Sequence, residues 1–95
     1  MHMISEKVII KNKLGIHLRP ATLLSGKALE FDSTIELKIA NTTVNAKSVL
    51  GVLAAGVSQA DEVEITCDGA DELEALKAII QLIKDGMGDN IDQKS

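Results

Sequence analysis

Glu62-Val63-Glu64-Ile65-Thr66-Cys67-Asp68-Gly69-Ala70-Asp71-Glu72 passes from one periodicity to another, and that passage decides the fold. Val63, Ile65 and Cys67 alternate with Glu62, Glu64 and Thr66, the period of two that puts one face of a strand on a core and the other in water. Cys67, the single cysteine, falls on the apolar face and reads as a buried, inert thiol. Beyond the acidic run the period becomes helical. Leu73, Leu76, Ile79, Ile80 and Ile83 form one stripe over residues 71–85, with Asp71 and Glu72 at its positive end and Gly86 after its last turn. The run 68–72 lacks the spacing of an EF-hand, so it reads as a turn and a helix start rather than a calcium loop.

Toward the N-terminus the same two periods recur. Ile35, Leu37 and Ile39 alternate with Glu36 and Lys38, and Ala40-Asn41 is short enough to turn this strand into a brief one at 43–45. Residues 4–11 are rich in β-branched side chains, with Val8 and Ile10 on one face and Lys7 and Lys11 on the other. Residues 20–29 place Ala21, Leu24 and Ala28 on a helical stripe, which Gly26 weakens by about 1 kcal/mol relative to alanine. Residues 48–55 read as a short helix with Ser48 at the N-cap and Gly56 as its stop. The order is therefore βαββαβα. One apolar sheet face and three amphipathic helices satisfy each other by stacking, which predicts an α+β fold of two layers with an antiparallel sheet.

At 95 residues the chain is one domain, expected over residues 4–88. Met1-His2-Met3 reads as vector sequence ahead of a start at Met3, and residues 89–95 as a disordered polar tail. With 10 Lys+Arg against 14 Asp+Glu the net charge is −4, which argues against general nucleic-acid binding, and one aromatic residue, Phe31, leaves no stacking platform. The lone cysteine excludes an intrachain disulfide, and no Cys/His cluster has metal-ligand spacing. No apolar run approaches the ~20 residues of a membrane span and no signal peptide precedes the first strand, so the expected location is the cytoplasm.

Two constellations carry chemistry. In Gly15-Ile16-His17-Leu18-Arg19-Pro20-Ala21 a proline opens a helical stripe, which predicts Pro20 at the first helical position and His17 at the helix N-terminus. A neutral imidazole is nucleophilic near pH 7 without a partner base. The helix amides and the Arg19 guanidinium beside it favour a negative group, so the arrangement suits acceptance of a phosphoryl group. Taken alone, the motif favours the plainer reading, a helix cap next to a solvated arginine. In Asn45-Ala46-Lys47-Ser48 the serine is explained by capping, but Val49, Leu50 and Leu53 cannot all face inward on one short helix. At least one must be exposed, and an exposed apolar patch often marks a docking surface. Phosphorylation of Ser48 would add roughly two negative charges beside that patch.

Together these two segments, followed by Val49-Leu50-Gly51-Val52-Leu53, Gly56-Val57 and Asp68-Gly69-Ala70-Asp71-Glu72, resemble the HPr family, the histidine-containing phosphocarriers of the bacterial phosphoenolpyruvate-dependent sugar phosphotransferase system. The resemblance runs from about residue 4 to residue 88. It implies an open-faced β-sandwich, four antiparallel strands covered on one face by three helices. It implies that His17 accepts a phosphoryl group from phosphorylated enzyme I and passes it to sugar-specific enzyme IIA domains, with Arg19 stabilising the phosphohistidine. Leu18, Thr22, Val49, Leu50 and Leu53 fall at the docking face. In some members of the family the serine matching Ser48 is phosphorylated by an HPr kinase/phosphorylase, a modification that in some bacteria recruits a transcriptional regulator; a mainly regulatory module controlled through Ser48 is the alternative. No cofactor or metal is implied, and the chain is expected to be a monomeric carrier rather than an independent enzyme. Leu18 departs from the family's usual alanine or threonine, and Leu14 from its usual small polar residue.

Overall fold

The computed structural model describes residues 3–91. Along the chain lie β1 (Ile4–Ile9), α1 (Leu18–Ala28), β2 (Thr34–Ile39), β3 (Thr42–Asn45), α2 (Val49–Ala54), β4 (Glu62–Asp68) and α3 (Glu72–Lys84), the expected order. The four strands form one antiparallel sheet in the order β1-β4-β2-β3. β4 is thus an inner strand, flanked by β1 and β2. On the covered face Val8 lies opposite Val63, Leu37 opposite Ile65 and Ile35 opposite Cys67, all of them buried. On the open face Lys7 and Lys38 both lie opposite Glu64, and Ser5 donates to the Glu64 carboxylate at 2.9 Å. Opposed charges of this kind contribute roughly 0.2–1 kcal/mol per pair. They also fix the register, because a slip of one residue would bury the charges and expose the apolar set.

The helices close the other layer. Ala21, Leu24 and Ala28 come from α1, Val52 from α2, and Ala75, Leu76, Ile79, Ile80 and Ile83 from α3. Leu73, expected on the α3 stripe, is 55% exposed. It sits in the first turn, and Ala75 supplies the inward contact at that end. Cys67 is fully buried, and burial, reinforced by the negative charges of Asp71 and Glu72, pushes its thiol up to about 11. It is inert, as its place on β4 suggests.

Beyond Leu73, two sequence expectations change and one is extended. The first is the start of α1. Its N-cap is His17, and the first amide bonded within the helix is that of Ala21, which donates to His17 O at 2.9 Å. Pro20 is therefore the third helical residue rather than the first, still a position where no intrahelical donor is needed.

The second is the use of the acidic run, whose Glu72 carboxylate accepts the Gly69 amide at 3.0 Å and closes the expected turn. The Asp71 carboxylate does not cap its own helix. It accepts the amides of Asp32 and Ser33, both at 2.9 Å, and the Ser33 hydroxyl, and so fastens the α1–β2 connection to α3.

The third is the tail. Gly86 donates to Ile83 O and Met87 to Leu82 O, both at 3.0 Å, the paired bonds of a Schellman motif. Residues 86, 87 and 88 have φ of 96°, 49° and 88°, Met87 is fully buried, and Asp89 N–H returns to Gly86 O at 2.9 Å. The chain past α3 thus folds back onto the body through Asp89 instead of fraying after Gly88. The expectations for Met1 and His2 and for residues 92–95 lie outside the described residues.

Candidate functional site

His17 is positioned from both sides. Ahead of it, Gly15 N–H closes a turn on Asn12 O at 2.9 Å, and Ile16 N–H binds Val57 O at 3.1 Å. These bonds hold the approach to α1 against the loop after α2. Behind it, its carbonyl takes the first helical bond. Its own backbone is extended and its side chain makes no cap bond, so the ring is free to face outward. The side chain is 35% exposed, neither sealed in the core nor loose in solvent.

The ring is nevertheless engaged. Nε2 lies 2.9 Å from Oδ2 of Asp89, delivered by the turn after α3. A carboxylate only accepts, so Nε2 carries the proton of this bond, and in the neutral ring Nδ1 holds the free lone pair. Asp89 is itself held. Asn12, fully buried, donates from Nδ2 both to Asp89 Oδ2 at 2.9 Å and to Gly86 O at 2.8 Å. The Asn12 bond first, and then the His17 bond and the charges of His17 and Arg19, hold the Asp89 carboxyl below the usual aspartate range. Arg19 remains exposed, its side chain running over Gly88, where an added Cβ would sit 3.1 Å from Nε. An imidazole with one free nitrogen, an ionised carboxylate, a guanidinium and the first amides of α1 thus share one surface. That set can receive a doubly charged group at Nδ1 while the opposite ring nitrogen stays protonated.

The residues expected to dock partners divide by exposure. Leu18 opens α1 at 63% exposed and Leu50 on α2 reaches 79%, while Val49 and Leu53 are half-buried against the core. Leu14, ahead of the histidine, is 76% exposed. Thr22 is exposed, but its hydroxyl donates to Leu18 O at 2.8 Å and so belongs to the helix. Ser48 is the N-cap of α2, its Oγ accepting the Gly51 amide at 3.0 Å. Beside it Lys47 donates from Nζ to Phe31 O at 2.7 Å, tying this segment to the α1–β2 connection.

Asn12 and Asp89 are the site residues that sequence reasoning misses. The second stands 72 positions from His17 in the chain. A signal did exist in Gly86-Met87-Gly88, since an apolar residue between two glycines just past a helix suits a chain that caps and turns back. Among the described residues no group of acidic, histidine or cysteine side chains is arranged to hold a metal ion, and no helix is long and apolar enough to cross a membrane.

Comparison with known proteins gives one consistent result. Residues 4–85 match the family model described as the PTS HPr component phosphorylation site. An HPr of Thermoanaerobacter tengcongensis superposes with a TM-score of 0.87 at 41% identity, over 92% of this chain and 98% of that one. The histidine-containing phosphocarrier protein of a Mycoplasma gives 0.86 at 32% identity, over 95% and 99%. Crh of Bacillus subtilis, a catabolite-repression protein seen as a swapped dimer, gives 0.71 at 34% identity, over 87% and 95%.

Proposed function

The chain belongs to the HPr family of histidine-containing phosphocarrier proteins, and from that premise we propose that it accepts a phosphoryl group on His17 from phosphorylated enzyme I and passes it to enzyme IIA domains. The observation that carries this reading is the contact between Nε2 of the ring and the Asp89 carboxylate, which requires the proton on Nε2. With Nε2–H directed to Asp89 at 2.9 Å, Nδ1 is the nucleophilic atom. The lone pair of Nδ1 forms the N–P bond while the donor's bond to phosphorus breaks and its electron pair stays with the donor. On delivery the N–P pair returns to Nδ1. Arg19 meets the phosphoryl oxygens, and the amides of the first turn of α1 supply further donors. An exposed helix terminus contributes about 0.3–1 kcal/mol to such an anion, enough to orient the group without trapping it. The exposed leucines Leu18 and Leu50, with Val49, Leu53 and Thr22, form the surface on which both partners dock. The carrier works in the cytoplasm and needs no cofactor.

A second reading, regulation through Ser48, draws on the position of the hydroxyl. Oγ serves the cap as an acceptor, is partly exposed and stands at the start of the short helix that carries Leu50, two residues before it. A phosphoryl group there would place negative charge beside the docking surface. Incubation with enzyme I and phosphoenolpyruvate tests the main reading. Wild type should gain one acid-labile phosphate and His17→Ala none; equal labelling of both overturns it. Acid-stable labelling of Ser48 by an HPr kinase/phosphorylase, absent in Ser48→Ala, would establish the second.

A further inference from the structure

We propose that Asp89 is a positioning residue for phosphoryl transfer at His17, holding the ring with its proton on Nε2 and balancing the positive charge that transfer creates. The inference rests on the reading of His17 as the acceptor. Its basis is a chain of fixed contacts. Asn12 is fully buried and donates both protons of its amide to acceptors, Gly86 O and Asp89 Oδ2, so its orientation is determined. Gly86 and Asp89 belong to one closed turn, pinned by the Schellman bonds at the end of α3 and by buried Met87. The carboxylate therefore reaches His17 already aimed, and its side chain is 21% exposed.

The ring gains two things. In a free neutral imidazole the proton moves between the nitrogens, and a molecule with the proton on Nδ1 has no lone pair there to attack phosphorus. The Asp89 carboxylate selects the productive form. When Nδ1 takes the phosphoryl group, the ring becomes an imidazolium that keeps its Nε2 proton, with no proton entering or leaving. The ionised carboxylate at 2.9 Å offsets that charge. On delivery the N–P electron pair returns to Nδ1, and the ring is again neutral and still bonded to Asp89.

The test uses the full chain as a substrate of enzyme I and phosphoenolpyruvate, with ring-nitrogen NMR on the unphosphorylated protein. Wild type should show a His17 Nε2 proton slowed in exchange with solvent. Asp89→Ala should lose that signal, and its kcat as an acceptor should fall about tenfold or more with KM unchanged, as expected when a bond to a charged group acts on the chemical step. Asp89→Asn, whose carbonyl still accepts, should recover the proton signal and part of the rate. If Asp89→Ala accepts phosphate as fast as wild type, or if KM rises while kcat holds, the positioning role is wrong and the carrier reading stands. If wild type shows the Nε2 signal but gains no phosphate on His17, the carrier reading fails and takes this inference with it.

Discussion

At Gly15 the backbone has φ of +66°, and a Cβ built there would fall inside the van der Waals shell of Val57 O and 2.9 Å from Ser58 Cα. Two costs then coincide, a left-handed conformation that penalises any side chain by roughly 1–2 kcal/mol and a backbone clash that only a shift of the loop can relieve. That loop also accepts the Ile16 amide, so relief of the clash would move His17. Gly15→Ala should therefore lower stability by about 2 kcal/mol or more in urea unfolding and slow phosphoryl acceptance together. A variant as stable as wild type would mean that the loop gives way freely and does not position the histidine.

α1 carries its own internal weakness. Gly26 lies in the helix with no atom beyond its own stretch of helix within 4 Å of a built Cβ, and its φ is not positive. Replacing it with alanine removes backbone freedom from the unfolded chain at no steric cost. Gly26→Ala should stabilise the protein by about 1 kcal/mol and raise Tm by roughly 4–8 °C, read by calorimetry, with phosphoryl acceptance unchanged. A lower Tm would show that the glycine answers a packing need not visible in its surroundings. The elements as a whole were legible because their signals are local. The alternation in β2 and β4, the stripe of α3 and the cap at Ser48 each need only a window of a few residues. Where a position depended on what lay across the molecule, sequence reading went astray. The exposure of Leu73 depends on where the covering layer ends, and Pro20 moved to the third helical position because His17, rather than Arg19, takes the cap.

For the whole molecule, two aspartates join segments distant in sequence, and the sequence showed neither connection. Asp71 bonds to Asp32 and Ser33 across 39 and 38 positions, and Asp89 to Asn12 and His17 across 77 and 72. No window of sequence contains both ends of such a contact, which is why the candidate histidine could be found and its carboxylate could not. Both carboxyls are held below the ordinary value of 3.8, Asp71 chiefly by the Ser33 hydroxyl and the Asp32 amide, Asp89 chiefly by Asn12 and then His17. The sign follows from linkage. A folded-state value below the unfolded one adds stability that is fully present above the unfolded value and is lost as pH falls through the folded one. The urea midpoint should thus be insensitive to these two groups from about pH 5 to 7 and should decline from about pH 4 downward. Asp71→Asn and Asp89→Asn should each make that acid decline shallower, and together more so, because the fastening no longer depends on ionisation. If the double variant lost stability below pH 4 as steeply as wild type, these contacts would not be the links that acid breaks. The closing of the chain onto its own site would then rest on the buried side chains of Met87 and Asn12 alone.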